Sequence, residues 1–189
     1  MSPLSNEVKR ALLDLARQSI SSAILHRRLP ELPASEGEPR QCHGVFVTLH
    51  HDGRLRGCVG QIAGDAPLQD AVVRAAISAA LHDPRFLPVT SKEIPQLDIE
   101  ISVLSAPQPI TPQAIIPGLH GLIVAREGKR GLLLPQVAAS RNWSAQRLME
   151  ETCSKAELER EAWRDPATQI LGFTAEVFSE AAMHSLPQV

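Results

Sequence analysis

The segment that most constrains the fold is a pair of short apolar-rich runs on either side of His51-Asp52-Gly53. Val45–His50 and Arg54–Ile62 have the length and composition of β-strands, and an Asp-Gly pair between such runs is a strong hairpin signal. The sequence therefore predicts an antiparallel hairpin over residues 45–62. The length of its loop decides which side chains share a face, because a slip of one residue moves every side chain of a strand to the opposite face.

Two loop lengths are compatible with this turn. A two-residue loop of Asp52-Gly53 mixes apolar and charged side chains on each face, whereas a three-residue loop that begins at His51 and has Gly53 in the left-handed conformation separates them. We therefore expect the longer loop. The expected cross-strand pairs are Arg56 with Thr48, Cys58 with Phe46, and His50 with Arg54. The apolar face would carry Val45, Val47, Leu49, Leu55 and Val59, and the other face Phe46, Thr48, His50, Arg54, Arg56 and Cys58.

The rest of the chain mixes helices with further strands. Apolar spacing predicts a helix over Glu7–Leu25 with Ser5 as its N-cap, and a second helix from Pro67 to about Asp83. The other predicted elements are a capping box at Thr90 and Glu93, a strand over residues 98–103, a hairpin of Gly121–Arg126 with Gly131–Leu134, helices over Trp143–Cys153 and Glu157–Trp163 with a capping box at Ser154 and Glu157, and a strand over Ile170–Phe178. Because no strand–helix–strand repeat appears, the pattern predicts an α+β fold with a largely antiparallel sheet and flanking helices.

Proline placement and length set the expected domain organisation. Prolines at positions 30, 33 and 39 predict an irregular arm over about residues 29–41, since proline interrupts helices. We expect short flexible ends at residues 1–4 and 184–189. A chain of 189 residues fits one domain, so residues 1–189 are expected to form a single domain.

Composition disfavours several classes of function. A net charge of −2, with four Phe, two Trp and no Tyr, disfavours nucleic-acid binding through a basic surface or stacked bases. No apolar run is long enough to cross a membrane, and no signal-peptide pattern is present. The three cysteines, Cys42, Cys58 and Cys153, form no Cys-x-x-Cys pair, so neither a disulfide framework nor a zinc site is indicated. We expect a cytoplasmic protein with no metal and no other cofactor.

Cys58 is the residue that most suggests chemistry. It stands two residues after Arg56 and between Gly57 and Gly60, so little side-chain bulk shields it, and the backbone can approach a ligand closely. A nearby guanidinium favours the thiolate, which is the reactive form of cysteine. The alternative is a small apolar cysteine packed against Phe46, because free cysteine is commonly buried.

The stretch Leu55-Arg-Gly-Cys-Val-Gly60 closely resembles the signature of the AMMECR domain family, also known as system protein A of the AmmeMemoRadiSam set. Further segments resemble the family in the same order: Gly44–Leu49, Asp83-Pro-Arg-Phe86, Leu97–Leu104, Leu132–Ala138, Trp143 and Cys153–Ala156. The chain departs from the family pattern at Val59, Gln61, Leu87, residues 140–142 and Glu157, the last standing where glycine is typical.

The resemblance implies a single α+β domain of two unequal lobes, with the cysteine strand near their junction. It also implies a partnership, at least genomic, with a Memo-like protein and a radical SAM protein. No reaction is securely assigned to the family, so the resemblance names no substrate.

Other candidate residues each have a structural alternative. Glu100, on the polar side of the strand over 98–103, is the expected partner of Arg56. The alternative is a cross-strand ion pair with no catalytic role, which the same sequence pattern would produce. Asp83 and Arg85 could bind a ligand or simply end a helix. His50 is a candidate general base. Its neighbour His51 points to the opposite face of the strand, which disfavours a metal site shared by the two histidines. Gln136 could orient a ligand or bond to a turn.

These observations favour a cytoplasmic enzyme, or a substrate-handling component of a modification pathway, that acts through Cys58. In this hypothesis Cys58 is the nucleophile, Arg56 holds the thiolate or an anionic group, and Glu100 orients Arg56. The remaining expected ligand-binding residues are Gly57, Gly60, His50, Arg54, Asp83, Arg85 and Gln136. The alternative is a non-catalytic binding or scaffold subunit, and nucleic-acid binding is a third, less favoured hypothesis.

Overall fold

The computed structural model describes residues 3–26, 44–62 and 67–184. The helices are α1 (Asn6–Leu25), α2 (Leu68–Leu81), α3 (Pro135–Ser140), α4 (Ala145–Lys155) and α5 (Glu180–His184). The strands are β1 (Gly44–His51), β2 (Arg54–Ile62), β3 (Leu97–Leu104), β4 (Gln108–Pro109), β5 (Gly121–Arg126), β6 (Lys129–Leu133), β7 (Gln169–Phe173) and β8 (Ala175–Ser179). The described residues up to Leu104 and from Glu176 form one unit, and Ser105–Ala175 form a second.

The first unit is a four-stranded sheet with helices on one face. Its strand order is β2-β1-β3-β8, and β1 pairs antiparallel with both β2 and β3. Alternation along the strands sends one set of apolar side chains into a core with α1 and α2. The strand residues of that core are Val45, Val47, Leu49, Ile99, Ile101 and Val103.

The helices α1 and α2 match their predicted spacing. Ser5 is the N-cap of α1, and its hydroxyl accepts a hydrogen bond from the Val8 N–H at 3.3 Å. The helix α2 ends at Leu81, just before Asp83-Pro84, because the residue before proline is pushed out of helical conformation. Its predicted inner side is buried throughout: Leu68, Ala71, Val72, Ala75, Ala76 and Ala79.

The second unit has its own sheet and core. The strand order is β4-β7-β5-β6, and all three pairs are antiparallel, so the α+β prediction with antiparallel sheets is confirmed. Cys153 lies fully buried beside Val124 and Ala162, which confirms its predicted place in a core. Among the described residues of the whole chain, no helix is both long and apolar enough to cross a bilayer.

Predicted boundaries in the second unit need correction. The predicted helix over Trp143–Cys153 begins instead at Ala145, with Ser144 as its N-cap. The predicted helix over Glu157–Trp163 is wrong, because this segment is a series of turns that ends in a single 3-10 turn. The capping box at Ser154 and Glu157 is also wrong, since the backbone of Glu157 is left-handed, with φ of 57°, and ends α4.

Two further predictions differ from the structure. The predicted strand over Ile170–Phe178 is two strands, β7 and β8, which are separated at Thr174 and join different sheets. The predicted flexible start is wrong at Leu4, which is buried and whose N–H donates to both carboxylate oxygens of Glu176 at 3.1 Å. The predicted arm over residues 29–41 and most of the predicted C-terminal end lie outside the described residues.

Candidate functional site

The hairpin that carries Cys58 closes with a shorter loop than predicted. Asp52 and Gly53 both have left-handed backbones, with φ of 51° and 71°, and His51 pairs directly with Arg54. This is the geometry of a two-residue hairpin turn. Gly53 therefore has the predicted positive φ, but the three-residue loop is wrong.

The residue that the prediction placed in the loop is matched by an extra residue within strand β2. His50 pairs with Leu55 and Leu49 pairs with Gly57, so Arg56 is an extra residue in β2 with no counterpart in β1. Such a β-bulge shifts the register by one residue. The three predicted cross-strand pairs are therefore wrong: the observed pairs are Thr48 with Cys58, Phe46 with Gly60, His50 with Leu55 and His51 with Arg54.

The bulge nevertheless preserves the predicted face of Cys58. Because Cys58 lies opposite Thr48, it shares a face with Thr48 and Phe46, away from the apolar core of α1 and α2. Leu55 is the exception, since it lies before the bulge and is 43% exposed, whereas the prediction placed it in the core. The face prediction thus holds only for the part of β2 that follows Arg56.

Cys58 and Thr48 contact each other directly. The Thr48 hydroxyl donates a hydrogen bond to Cys58 Sγ at 3.3 Å, and Thr48 itself is buried. Side chains come closest in those antiparallel pairs whose backbone groups point away from each other. On the other side of Thr48, Glu100 is its partner in β3, so the row across three strands is Cys58, Thr48 and Glu100.

The backbone of Cys58 faces outward because β2 is the edge of its sheet. The Cys58 N–H donates to Asp83 Oδ2 at 2.8 Å, and the Cys58 carbonyl accepts from Arg85 Nη2 at 3.1 Å. An unpaired strand edge needs such partners, and here two side chains from the segment after α2 supply them. The peptide groups before and after the Cα atom of Cys58 are therefore both held in place by hydrogen bonds.

Asp83 and Arg85 also bind each other. Arg85 Nε donates to Asp83 Oδ1 at 2.9 Å and Arg85 Nη2 donates to Oδ2 at 2.7 Å, which is a bidentate ion pair. These bonds hold the pKa of the Asp83 carboxyl well below its usual range, although burial opposes the shift. Hydrogen bonds to Asp83 raise the pKa of Arg85 above its ordinary value, and Cys58 adds a smaller contribution in the same direction.

Arg56 binds Glu93 and not the expected Glu100. Its Nε donates to Glu93 Oε1 at 2.7 Å, and its Nη1 donates to the Leu87 carbonyl at 3.0 Å. The pairing with Arg56 lowers the pKa of Glu93 from 4.5 to about 2, helped by hydrogen bonds from the N–H and hydroxyl of Thr90. The prediction failed because the bulge at Arg56 interrupts the cross-strand pairing on which the choice of Glu100 rested.

The two glycines of the strand are explained by packing inside the first unit. A Cβ on Gly57 would lie 2.2 Å from the Ala79 carbonyl oxygen of α2, and a Cβ on Gly60 would lie 2.2 Å from the Val45 oxygen and 2.4 Å from the Phe46 ring. These contacts are far shorter than any real Cβ contact, so both positions require glycine. The close approach that the sequence indicated is thus to neighbouring protein atoms.

His50 and Arg54 belong to the same hairpin as Cys58 but do not pair with it. His50 lies beside Leu55 and Asp98, and Arg54 lies at the turn. Gln136 is in α3 of the second unit. Cys42 lies outside the described residues. Within the ranges that the structure describes, no group of three or more His, Cys, Asp or Glu side chains is arranged to hold a metal ion.

Sequence reasoning missed the roles of Thr48 and Glu93. Thr48 carried no signal beyond its place on the predicted polar face. Glu93 was placed in a capping box with Thr90, and that contact exists, since the Thr90 N–H donates to Glu93 Oε2 at 2.8 Å. Its pairing with Arg56 joins residues 37 positions apart, and local patterns carry no information on such a contact.

Comparisons with known proteins agree with the family resemblance. A family model described as AMMECR1 matches residues 13–178. A protein of Methanothermobacter thermautotrophicus is 42% identical over 94% of this chain and 97% of its own length, and a protein of Methanosarcina barkeri is 40% identical over 90% and 89%. The crystal structure of an uncharacterized protein from Pyrococcus horikoshii is similar with a TM-score of 0.90, at 36% identity and with 97% and 96% of the two chains covered.

Proposed function

The chain belongs to the AMMECR1 family, and from this premise and the surroundings of Cys58 we propose that it is a cytoplasmic protein that uses the Cys58 thiol as a nucleophile. It would act either as an enzyme or as the substrate-handling component of a modification pathway. The observation that carries the proposal is the hydrogen bond of 3.3 Å from the Thr48 hydroxyl to Cys58 Sγ. A donor aimed at sulfur stabilises the thiolate, which is the nucleophilic form.

The fixed backbone of Cys58 supports the same proposal. Asp83 and Arg85 hold its N–H and carbonyl, so the direction of the side chain is set before any substrate arrives. A nucleophile held in one geometry reacts without first losing conformational freedom. The cation bonded to the Cys58 peptide is Arg85 and not Arg56, so we assign to Arg85 the role that the sequence suggested for Arg56.

The proposed step is a displacement at an electrophilic carbon of the substrate. The Cys58 thiol gives its proton to water, and the resulting thiolate forms a bond between Sγ and the carbon. The bond from that carbon to its leaving group breaks, and the leaving group departs with the electron pair. An enzyme would then release the bound group to water or to an acceptor nucleophile, whereas a substrate-handling component would pass it to a partner. The proposed partners are a Memo-like protein and a radical SAM protein, which the resemblance to the family supports.

A second candidate function is a non-catalytic binding subunit. Two observations favour it: Gly57 and Gly60 are required by internal packing, and the ion pairs of Arg56 and Arg85 complete the edge of the sheet. In this candidate Cys58 only fills space beside Thr48. Nucleic-acid binding is a weaker third candidate, given the net charge of −2.

Replacement of Cys58→Ser separates the two main candidates. In cells that lack the native gene, a nucleophile predicts that Cys58→Ser folds normally but fails to restore the growth or pathway phenotype, since a serine hydroxyl is far less nucleophilic at neutral pH. The matched control is Cys153→Ala, which removes a buried thiol of the second unit and should restore the phenotype. Thermal midpoints of both variants are measured first. Full complementation by Cys58→Ser would leave only the binding subunit.

A further inference from the structure

We propose that Arg85 recognises an anionic group, a carboxylate or phosphate, on the substrate that reacts with Cys58. This inference rests on the proposed function and names the class of substrate. Its basis is the way in which the guanidinium of Arg85 is held. Nε and Nη2 are bound by Asp83, and Nη2 also reaches the Cys58 carbonyl, whereas Nη1 takes part in none of these bonds.

One side of the guanidinium is anchored and the other side is open. The Asp83 side chain beneath it is only 3% exposed, but 55% of the Arg85 side chain is accessible to solvent. A charged, planar donor whose orientation is already fixed loses little freedom when it binds an anion, and its fork matches a carboxylate or phosphate. Nη2 of the same guanidinium lies 3.1 Å from the Cys58 carbonyl oxygen, so an anion bound by the accessible part of this group would hold the rest of its molecule near residue 58.

Arg56 lacks these properties and serves as the internal comparison. All three of its nitrogen atoms donate to Glu93 or to the Leu87 carbonyl, and only 17% of its side chain is exposed. Arg54 is exposed, but it lies at the turn, four residues before Cys58. Among the described side chains that bond to the Cys58 backbone, Arg85 is therefore the cation presented to a substrate.

The negative charge of Asp83 limits how strongly Arg85 can favour an anionic substrate. Its carboxylate offsets the charge of Arg85 at long range, so the preference depends on direct contact and not on steering of distant ions. Exposed charge-assisted contacts of this kind are weak, and we expect a preference of roughly threefold to fivefold for an anionic reagent.

Two alkylating reagents of similar size test this inference. Iodoacetate is anionic and iodoacetamide is neutral, and each reacts with a thiolate by forming a bond from sulfur to the CH₂ carbon while the bond to iodine breaks and iodide leaves. The rate at Cys58 is measured with each reagent by peptide mapping, and their ratio is divided by the same ratio for N-acetylcysteine amide. Because both reactions need the same thiolate, the ratio does not depend on how much thiolate is present.

The expected normalised ratio of iodoacetate to iodoacetamide is about three to five for the wild type, about one for Arg85→Gln, and unchanged for the control Arg10→Gln, which removes an exposed arginine of α1. A wild-type ratio of one overturns the inference without any variant, so loss of folding in Arg85→Gln cannot protect it. A ratio in Arg85→Gln as high as in the wild type, at a normal thermal midpoint, would assign the preference to another group and overturn the inference.

The same data separate this inference from the proposed function. If Cys58 reacts with both reagents well before Cys153 but shows no preference, the nucleophile stands and the anionic substrate is rejected. If Cys58 reacts with neither reagent while the protein is folded, both proposals are rejected together.

Discussion

Two ion pairs connect the edge strand β2 with the segment that follows α2. Arg56 binds Glu93, and Asp83 binds both Arg85 and the N–H of Cys58. The segment from 83 to 93 is thus attached to the sheet edge by charged groups with low exposure on at least one side. Removing one partner of such a pair leaves the other charge without compensation, which costs more than the pair contributes.

The pairing of Glu93 predicts a specific sensitivity to acid. The pKa of Glu93 is about 2 in the folded protein and ordinarily 4.5, so the pair stabilises the fold fully above pH 4.5, and this contribution is lost as the pH falls towards 2. Because a quarter of the Glu93 side chain is exposed, we expect a contribution on the order of 2 kcal/mol at pH 7. Glu93→Gln should lower the free energy of unfolding by this amount at pH 7.

Denaturant titrations at pH 7, 4 and 2.5 measure this effect. The difference between wild type and Glu93→Gln should shrink as the pH falls, because protonation removes the same charge from the wild type. Asp83 titrates identically in both proteins and cancels. The exposed Glu159→Gln serves as the control and should parallel the wild type at every pH. A difference for Glu93→Gln that stays constant with pH would contradict the pairing.

At the scale of elements, periodicity identified the major helices and strands of the first unit, but it could not locate irregularities. The prediction placed one extra residue in the loop, whereas the chain places it at Arg56 within β2. Both placements shift the side-chain alternation by one residue, so the face of Cys58 was correct although every predicted pair was wrong. The split between β7 and β8 was missed because a continuous apolar run carries no signal of a strand that changes sheets.

At the end of α4, Glu157 has a backbone conformation that is unfavourable for its residue type. The Leu158 N–H donates to the Cys153 carbonyl and the Glu157 N–H to the Ser154 carbonyl, both at 3.0 Å, which is the Schellman pattern of a helix end. Glu157 occupies the left-handed position of this motif, with φ of 57°. Glycine adopts that conformation without the steric cost that a Cβ brings.

We therefore expect Glu157→Gly to stabilise the protein by about 0.5–1 kcal/mol, since relief of the left-handed strain exceeds the added freedom of glycine in the unfolded chain. Denaturant unfolding measures the change. The control is Lys155→Gly, the last residue of α4, where glycine should destabilise by up to about 1 kcal/mol because the position is helical. Loss of stability in both variants would show that the helix end tolerates glutamate without strain.

At the scale of the whole molecule, the first unit is built from both ends of the described chain. Strand β8 completes its sheet, and Phe178 and Met183 belong to its core. Sequence reasoning predicted the fold class correctly, because the fold class depends on local patterns. It could not find which distant residues meet, such as Arg56 with Glu93 or the N-terminal helix with the C-terminal one, because such contacts depend on the tertiary fold.

The contact between the two ends centres on Arg17 and Glu180. Arg17 Nε and Nη2 donate to Glu180 at 2.5 and 2.6 Å, and the same guanidinium donates to the carbonyls of Ile94 and Leu97. The Ile99 N–H donates to Glu180 Oε2 at 3.0 Å. The hydrogen bonds to Glu180 raise the pKa of Arg17 above its ordinary value, although burial opposes the shift. One ion pair thus joins α1, the residues around the start of β3, and α5.

We expect Glu180→Gln to lower the free energy of unfolding of the first unit by about 1–3 kcal/mol, because it leaves the Arg17 charge without its carboxylate while an amide oxygen can still accept from Ile99. Circular dichroism during denaturant unfolding measures the loss of α1 and α2. The control Glu7→Gln also removes one negative charge near the start of α1, but Glu7 is exposed, so it should cost only a few tenths of a kcal/mol. Equal, small losses in both variants would mean that Arg17 and Glu180 contribute no more than an ordinary surface pair.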